Sequence, residues 1–220
     1  MRTRVKVCCM ATPGEVRAAV AAGADAVGLV GEMPSGPGPI SDAQAHDAAL
    51  ACPPGVTPFL LTSRTEPEAI FEHAQVVGVR VVQVVRHLDP AVHERLRALE
   101  PRLRLVQVVH VEDEHALELA RGYGVTADAL LLDSGRPSET VAELGGTGRT
   151  HDWSVSRRIV QESRLPVWLA GGLTAANVFE AIEAVNPFGV DLCSGVRTAG
   201  RLDARKLSAF FAAVRLAKGG

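Results

Sequence analysis

The sequence predicts an α/β protein folded as a closed (β/α)8 barrel, and three observations predict it. Short β-branched runs alternate with alanine-rich amphipathic segments along all 220 residues. Most of those runs are almost continuously apolar, as parallel strands covered on both faces require. Eight strand–helix units fit into the chain with no linker or low-complexity stretch. Doubly wound sheets also alternate, but eight units in this length favour closure.

The expected strands, in order, are 5–9, 26–30, 57–62, 81–85, 105–109, 129–133, 166–170 and 189–193. Helix openings fall between them. Thr12-Pro13 sets a capping residue before a proline at the first helical position. Thr65-Glu66-Pro67, Asp89-Pro90 and Asp203 make similar openings. From Thr174, the run TAANVFEAIEAV puts Val178, Ile182 and Val185 on one helical face. Residues 1–220 thus read as one single-domain TIM barrel. In such barrels the strand C-termini and the loops after them handle ligands.

With 47% hydrophobic and 22% charged residues, the chain can bury a full core. A net charge of −2 and scattered arginines offer no field for a nucleic-acid backbone. No apolar stretch reaches the roughly 20 residues that cross a bilayer, since Arg80 interrupts the longest valine-rich run. Too few apolar residues follow Arg2, Arg4 and Lys6 for a secretory leader. The four cysteines, Cys8, Cys9, Cys52 and Cys193, do not make a disulfide framework in a domain of this size. A reduced, cytoplasmic setting is expected.

The opening stretch RVKVCCMATPGE ends its strand on two adjacent thiols. These could be small buried hydrophobes, metal ligands, a redox pair or a catalytic thiolate. Adjacent cysteines do not easily share one tetrahedral zinc centre and no His–Cys spacing completes a set, so no metal is expected. Strand alternation sends Cys8 and Cys9 to opposite faces, and Lys6 shares the face of Cys8. An ammonium there favours the thiolate, the form that abstracts a proton. Cys8 is therefore the preferred base and Cys9 a packing residue.

Asp133 closes the apolar run ALLLDS at the expected barrel mouth. Partial desolvation there raises a carboxyl pKa and suits a general acid, the plainer role being a cap or loop acceptor. Gly171-Gly172 and Ser194-Gly195 follow the last two expected strands. Amides at such turns approach a phosphate closely, and barrels often hold phosphate in these two loops. A single Gly-Gly is as readily a tight turn; the pair of loops points to an anion. A third cluster, ELGGTGRTHDW at 143–153, is longer than a connection needs and could fold over a ligand.

The segments VKVCC, AAVAAGADAVGLV, LLLDS, GGTGRTHDW, LAGGLTAANV and GVDLCSGV, in that order along nearly the whole chain, resemble the phosphoribosylanthranilate isomerase family of tryptophan biosynthesis. The resemblance implies a barrel that performs an Amadori rearrangement, aminoaldose phosphate to aminoketose phosphate, by acid–base catalysis without a cofactor. It implies Cys8 as the base, Asp133 as the acid, and Gly171, Gly172, Ser194 and Gly195 as the phosphate site. Asp191 falls in the same strand motif and, with Lys6, Arg86 and Arg197, completes the substrate-binding candidates. The implied partner is a small phosphorylated sugar-amine, neither nucleic acid nor membrane, with the protein a monomer or homodimer.

Several positions depart from that family's pattern. Cys9 stands where glycine is usual, and Val85-Arg86 stand at a usual His-Gly, with His87 adjacent. Gly38 replaces an arginine that contacts the anthranilate end, and Arg197 replaces a glutamate. Losing one charged bidentate contact costs roughly 1.5–3 kcal/mol. Arg86 or Arg197 could replace it, or the amine could differ. A paralogue acting on another N-phosphoribosyl amine and a non-catalytic sugar-phosphate-binding barrel are the alternatives.

Overall fold

The apolar runs become strands because β-branched residues fit a pleated surface buried on both sides. A computed structural model describes residues 2–34, 36–135 and 152–217. In it β1 (Arg4–Val7), β2 (Ala26–Val30), β3 (Thr57–Thr62) and β4 (Val81–Val84) form the first half of a barrel. β5 (Arg104–His110), β6 (Ala129–Asp133), β7 (Val167–Leu169) and β8 (Gly189–Leu192) form the second. All pairings are parallel, in chain order, and β8 closes on β1 in the register Arg4↔Gly189 through Val7↔Leu192.

The helices between the strands start and stop where local chemistry says they should. In α1 (Pro13–Ala22), Thr12 caps the amide of Glu15, and Gly23 ends the helix in the left-handed region at φ 108°. A Ser41–Gln44 capping box opens α2 (Asp42–Leu50). Prolines open α3 (Pro67–Val77) and α4 (Pro90–Leu99). The ring follows with α5 (His115–Tyr123), α6 (Trp153–Glu162), α7 (Val178–Val185) and α8 (Ala204–Leu216), the last capped by Asp203.

α7 starts later than the sequence suggests. Residues 174–177 form a turn instead, because Asn177 Oδ1 accepts the Thr174 amide at 2.8 Å. Asn177 Nδ2 donates to the Gly172 carbonyl at 3.0 Å, so this turn fixes the glycine loop before the helix begins. A short hairpin of β9 (Arg197–Thr198) and β10 (Arg201–Leu202) follows the eighth strand.

Strand parity sorts the core into two shells. Val5, Val82, Val84, Leu130, Leu132 and Val190 face the helices and are buried there. Phe59, Val106, Val108, Leu131 and Trp168 fill the barrel interior. The lower interior is aromatic: Trp168 meets Phe59 and Phe188 edge-on at 5.8 and 5.5 Å. Gly189 makes room for that indole, since a Cβ there would come within 2.5 Å of the ring. Above this floor the interior turns polar. Among the described residues, no helix is long and apolar enough to cross a membrane.

Candidate active site

Inward-facing positions one layer above the aromatic floor carry the titratable groups. Lys6 is fully buried; its Nζ donates to Asp191 Oδ2 at 2.8 Å and lies 5.6 Å from the Phe59 ring centre. Gly28, on the neighbouring strand, makes this arrangement fit. A Cβ at that position would come 2.5 Å from Cys8 Sγ and 3.1 Å from Lys6 Nζ.

Cys8 and Asp133 line one cavity at the C-terminal mouth of the barrel, together with Gly171, Gly172, Asp191 and Ser194. The sequence placed these residues in one site from four separate strand ends. Asp133 is partly open to the cavity, and its Oδ1 accepts the Ser134 amide at 2.7 Å. Gly171, at φ 90°, lies so near Ser134 that a Cβ would sit 2.9 Å from its Oγ. Gly172 also has positive φ, 62°, and Ser194 opens a 3-10 turn. Amides at such bends and at a helix start present partial positive charge to an anion. Gly195 does not line the cavity; it packs against the Leu173 carbonyl and holds the two loops together.

The opposite wall is apolar. Val30, Met33, Leu61 and Val85 form it, and Gln83 supplies a polar side chain within it. Neither Gln83 nor this wall is singled out by sequence reasoning. The available signal was a lone glutamine inside the apolar run VVQVV.

Burial dominates the protonation of both proposed catalytic groups. It pushes the Cys8 thiol up to about 11, more than the Lys6 ammonium pulls it down. It likewise raises the Asp133 carboxyl to about 6, against the hydrogen bond from Ser134. At neutral pH the Cys8 sulfur therefore keeps its proton, so the thiolate expected from Lys6 is not the resting form. For Lys6, burial opposes the charge, but Asp191 and Cys8 outweigh it and hold the ammonium above its ordinary value.

Two cysteine expectations need correction. Cys9 does not turn to the helix face: β1 ends at Val7, Cys9 adopts φ 64°, and alternation no longer applies. Cys8 and Cys9 both line the cavity. Cys9 is also bonded to Cys193, with Cα atoms 5.9 Å apart across 184 residues of sequence. The β1–β8 closure creates that proximity, which no sequence spacing reveals. Cys8 and Cys52 remain free thiols.

The arginine candidates fall outside the cavity lining. Arg197 bonds the Cys9 carbonyl and pairs with Glu15 at 3.0 Å, clamping the loop after β1 to the loop after β8. Arg86 is exposed at the end of β4. Gly38, at φ 90°, lies against Cys9, and a Cβ there would come 2.7 Å from Cys9 Cβ, so no side chain fits. The glycine-rich segment 136–151 lies outside the described residues. Among the described residues no three His, Cys, Asp or Glu side chains group as a metal site.

This geometry sets a thiol and a carboxyl beside two glycine-bearing turns, and comparison with known proteins gives the family. Residues 5–213 match the family model described as N-(5′-phosphoribosyl)anthranilate (PRA) isomerase. The chain belongs to the PRA isomerase family. A relative from Methanocella arvoryzae named N-(5′-phosphoribosyl)anthranilate isomerase is 37% identical over 98% of this chain and 100% of its own length. A solved PRA isomerase from Thermotoga maritima superimposes with a TM-score of 0.82 at 30% identity, covering 97% of this chain and 98% of that one. A second PRA isomerase structure, in complex with reduced 1-(o-carboxyphenylamino)-1-deoxyribulose 5-phosphate, matches with a TM-score of 0.79 at 29% identity and covers the same shares.

Proposed function

We propose that the protein isomerises N-(5′-phosphoribosyl)anthranilate to the corresponding 1-amino-1-deoxyribulose phosphate by cofactor-free acid–base catalysis. The observation that carries this reading is one cavity lined by Cys8, Asp133 and the glycine turn Gly171-Gly172, in a chain that matches the family over nearly its full length.

The chemistry follows from those groups. Asp133 gives its proton to the ribose ring oxygen as the C1′–O bond breaks, and the amine lone pair forms an iminium. The Cys8 thiolate then takes the proton from C2′, and the electron pair neutralises the iminium to an enolamine. Tautomerisation gives the ketone. Turnover uses the tautomer with the proton on Asp133 and the charge on sulfur, and the buried ammonium of Lys6 lowers the cost of that shift. The amides of the loops after β7 and β8 hold the phosphate, whose binding energy fixes the sugar between acid and base. Asp191 Oδ1 lacks a hydrogen-bond partner among the described residues and serves as an acceptor for a sugar hydroxyl.

The substrate is a small phosphorylated sugar-amine, handled by a cytoplasmic monomer or homodimer. The direct experiment is turnover of purified protein with phosphoribosylanthranilate, followed by loss of its fluorescence. Conversion at an enzymatic rate supports the reading; absence of turnover overturns it. A second reading, a different N-phosphoribosyl amine, is favoured by the side-chain-free Gly38 and by Arg197 being engaged on Glu15. Rescue of a tryptophan auxotroph at normal expression would speak against it.

A further inference from the structure

Gln83 is 97% buried inside the barrel, yet its Oε1 has no hydrogen-bond partner among the described residues. It lines the cavity from β4, beside Leu61 in register on β3. A buried acceptor without a partner is costly, so one on a cavity-lining residue is a place for an incoming donor to complete.

Its position selects what that ligand group is. In an eight-strand ring β4 lies opposite β8, so Gln83 faces the phosphate loops across the cavity. With phosphate anchored at Gly171, Gly172 and Ser194, the amine end of a phosphoribosyl amine extends toward β2–β4. There Val30, Met33, Leu61 and Val85 offer an apolar wall suited to an aryl ring. The donor at that end is the N–H that joins ring to sugar.

We propose that Gln83 Oε1 accepts the hydrogen bond of this bridging N–H and stabilises it when ring opening makes it an iminium. The inference rests on the isomerase reading above. A neutral acceptor in a desolvated site holds a charged N–H more strongly than a neutral one, so the contact is tighter in the intermediate than in bound substrate. Gln83 is thereby a substrate-contacting residue distinct from the acid and the base.

The test compares wild type with Gln83→Met, close in volume, and Gln83→Glu, which keeps an acceptor oxygen. Turnover of phosphoribosylanthranilate, affinity for the reduced product analogue and thermal midpoint are measured together. The expected result is a kcat at least about 10-fold lower in Gln83→Met, the scale of one hydrogen bond to a charged group. Analogue affinity should fall clearly less than kcat does, because its amine is neutral, and Gln83→Glu should recover part of kcat. A Gln83→Met enzyme with wild-type kcat overturns the inference while leaving the isomerase reading intact. So does an equal loss of kcat and analogue affinity in a variant that keeps the wild-type melting point. A lowered melting point with kcat equally reduced in Gln83→Glu assigns Gln83 to packing and also overturns it. Inactive wild-type protein overturns both readings.

Discussion

Asp191, a residue of the cavity lining, takes the Lys6 ammonium on Oδ2 at 2.8 Å and leaves Oδ1 without a partner among the described residues. Removing one member of a buried pair strands the other charge, at a cost of about 3–5 kcal/mol. Lys6→Met should lose stability on that scale in denaturant unfolding. The double variant Lys6→Met/Asp191→Leu should recover most of it. If the single variant is as stable as wild type, the pair is not energetically coupled.

Gly28 lets the Cys8 and Lys6 side chains occupy one corner of the barrel. In Gly28→Ala the new methyl would meet Cys8 Sγ at 2.5 Å and Lys6 Nζ at 3.1 Å. A displacement near 1 Å at reacting groups costs about 10²-fold in rate. Steady-state kinetics should show a fall in kcat/KM of that order, with circular dichroism unchanged. Wild-type kcat/KM in Gly28→Ala would contradict the packing described.

The pH dependence follows from the raised carboxyl. Asp133 titrates at about 6 in the folded protein against an ordinary 3.8. A raised folded pKa contributes stability that is present below the unfolded value and is lost as pH rises through the folded one, so the loss falls between about pH 4 and pH 6. Two units correspond to at most about 3 kcal/mol. Asp133→Asn should therefore be more stable than wild type by about 1–3 kcal/mol at pH 8 and close to it at pH 4, while inactive. The Cys8–Asp133 pair carries one proton between about 6 and about 11. Accordingly kcat/KM should be level across neutral pH and fall below 6, where both groups are protonated. A maximum near pH 5 would contradict the assignment.

The Cys9–Cys193 bond joins the loop after β1 to the loop after β8 across 184 residues. Removing a crosslink of long separation costs about 2–5 kcal/mol. Melting with and without a reductant should show that loss in wild type and no difference in Cys193→Ser. Equal melting in both conditions for the wild type would mean the bond contributes nothing.

Strands such as β2, β3 and β6 were legible because each is a buried apolar run ended by turn residues, and Asp133 was legible as a charge placed at such an end. Other features were not, for definite reasons. The cysteine pair is a contact made by barrel closure, and periodicity carries no information about which strands meet. β1 stops at Val7, and Cys9 beyond it takes a left-handed backbone, a conformation that side-chain type does not announce. Gln83 and Gln107 look alike in sequence, each flanked by valines. Parity divides them: Gln107 faces outward, where its Oε1 meets His93 Nε2 at 3.0 Å and its Nε2 donates to the Arg86 carbonyl at 2.9 Å. Gln83 faces the cavity.

The central claim, that the Cys8 sulfur just beyond β1 removes the sugar proton, is tested most directly by Cys8→Ser. The account predicts turnover of phosphoribosylanthranilate reduced about 10²–10⁴-fold, the usual worth of a positioned base, with affinity for the reduced product analogue retained. Full turnover in Cys8→Ser would contradict it.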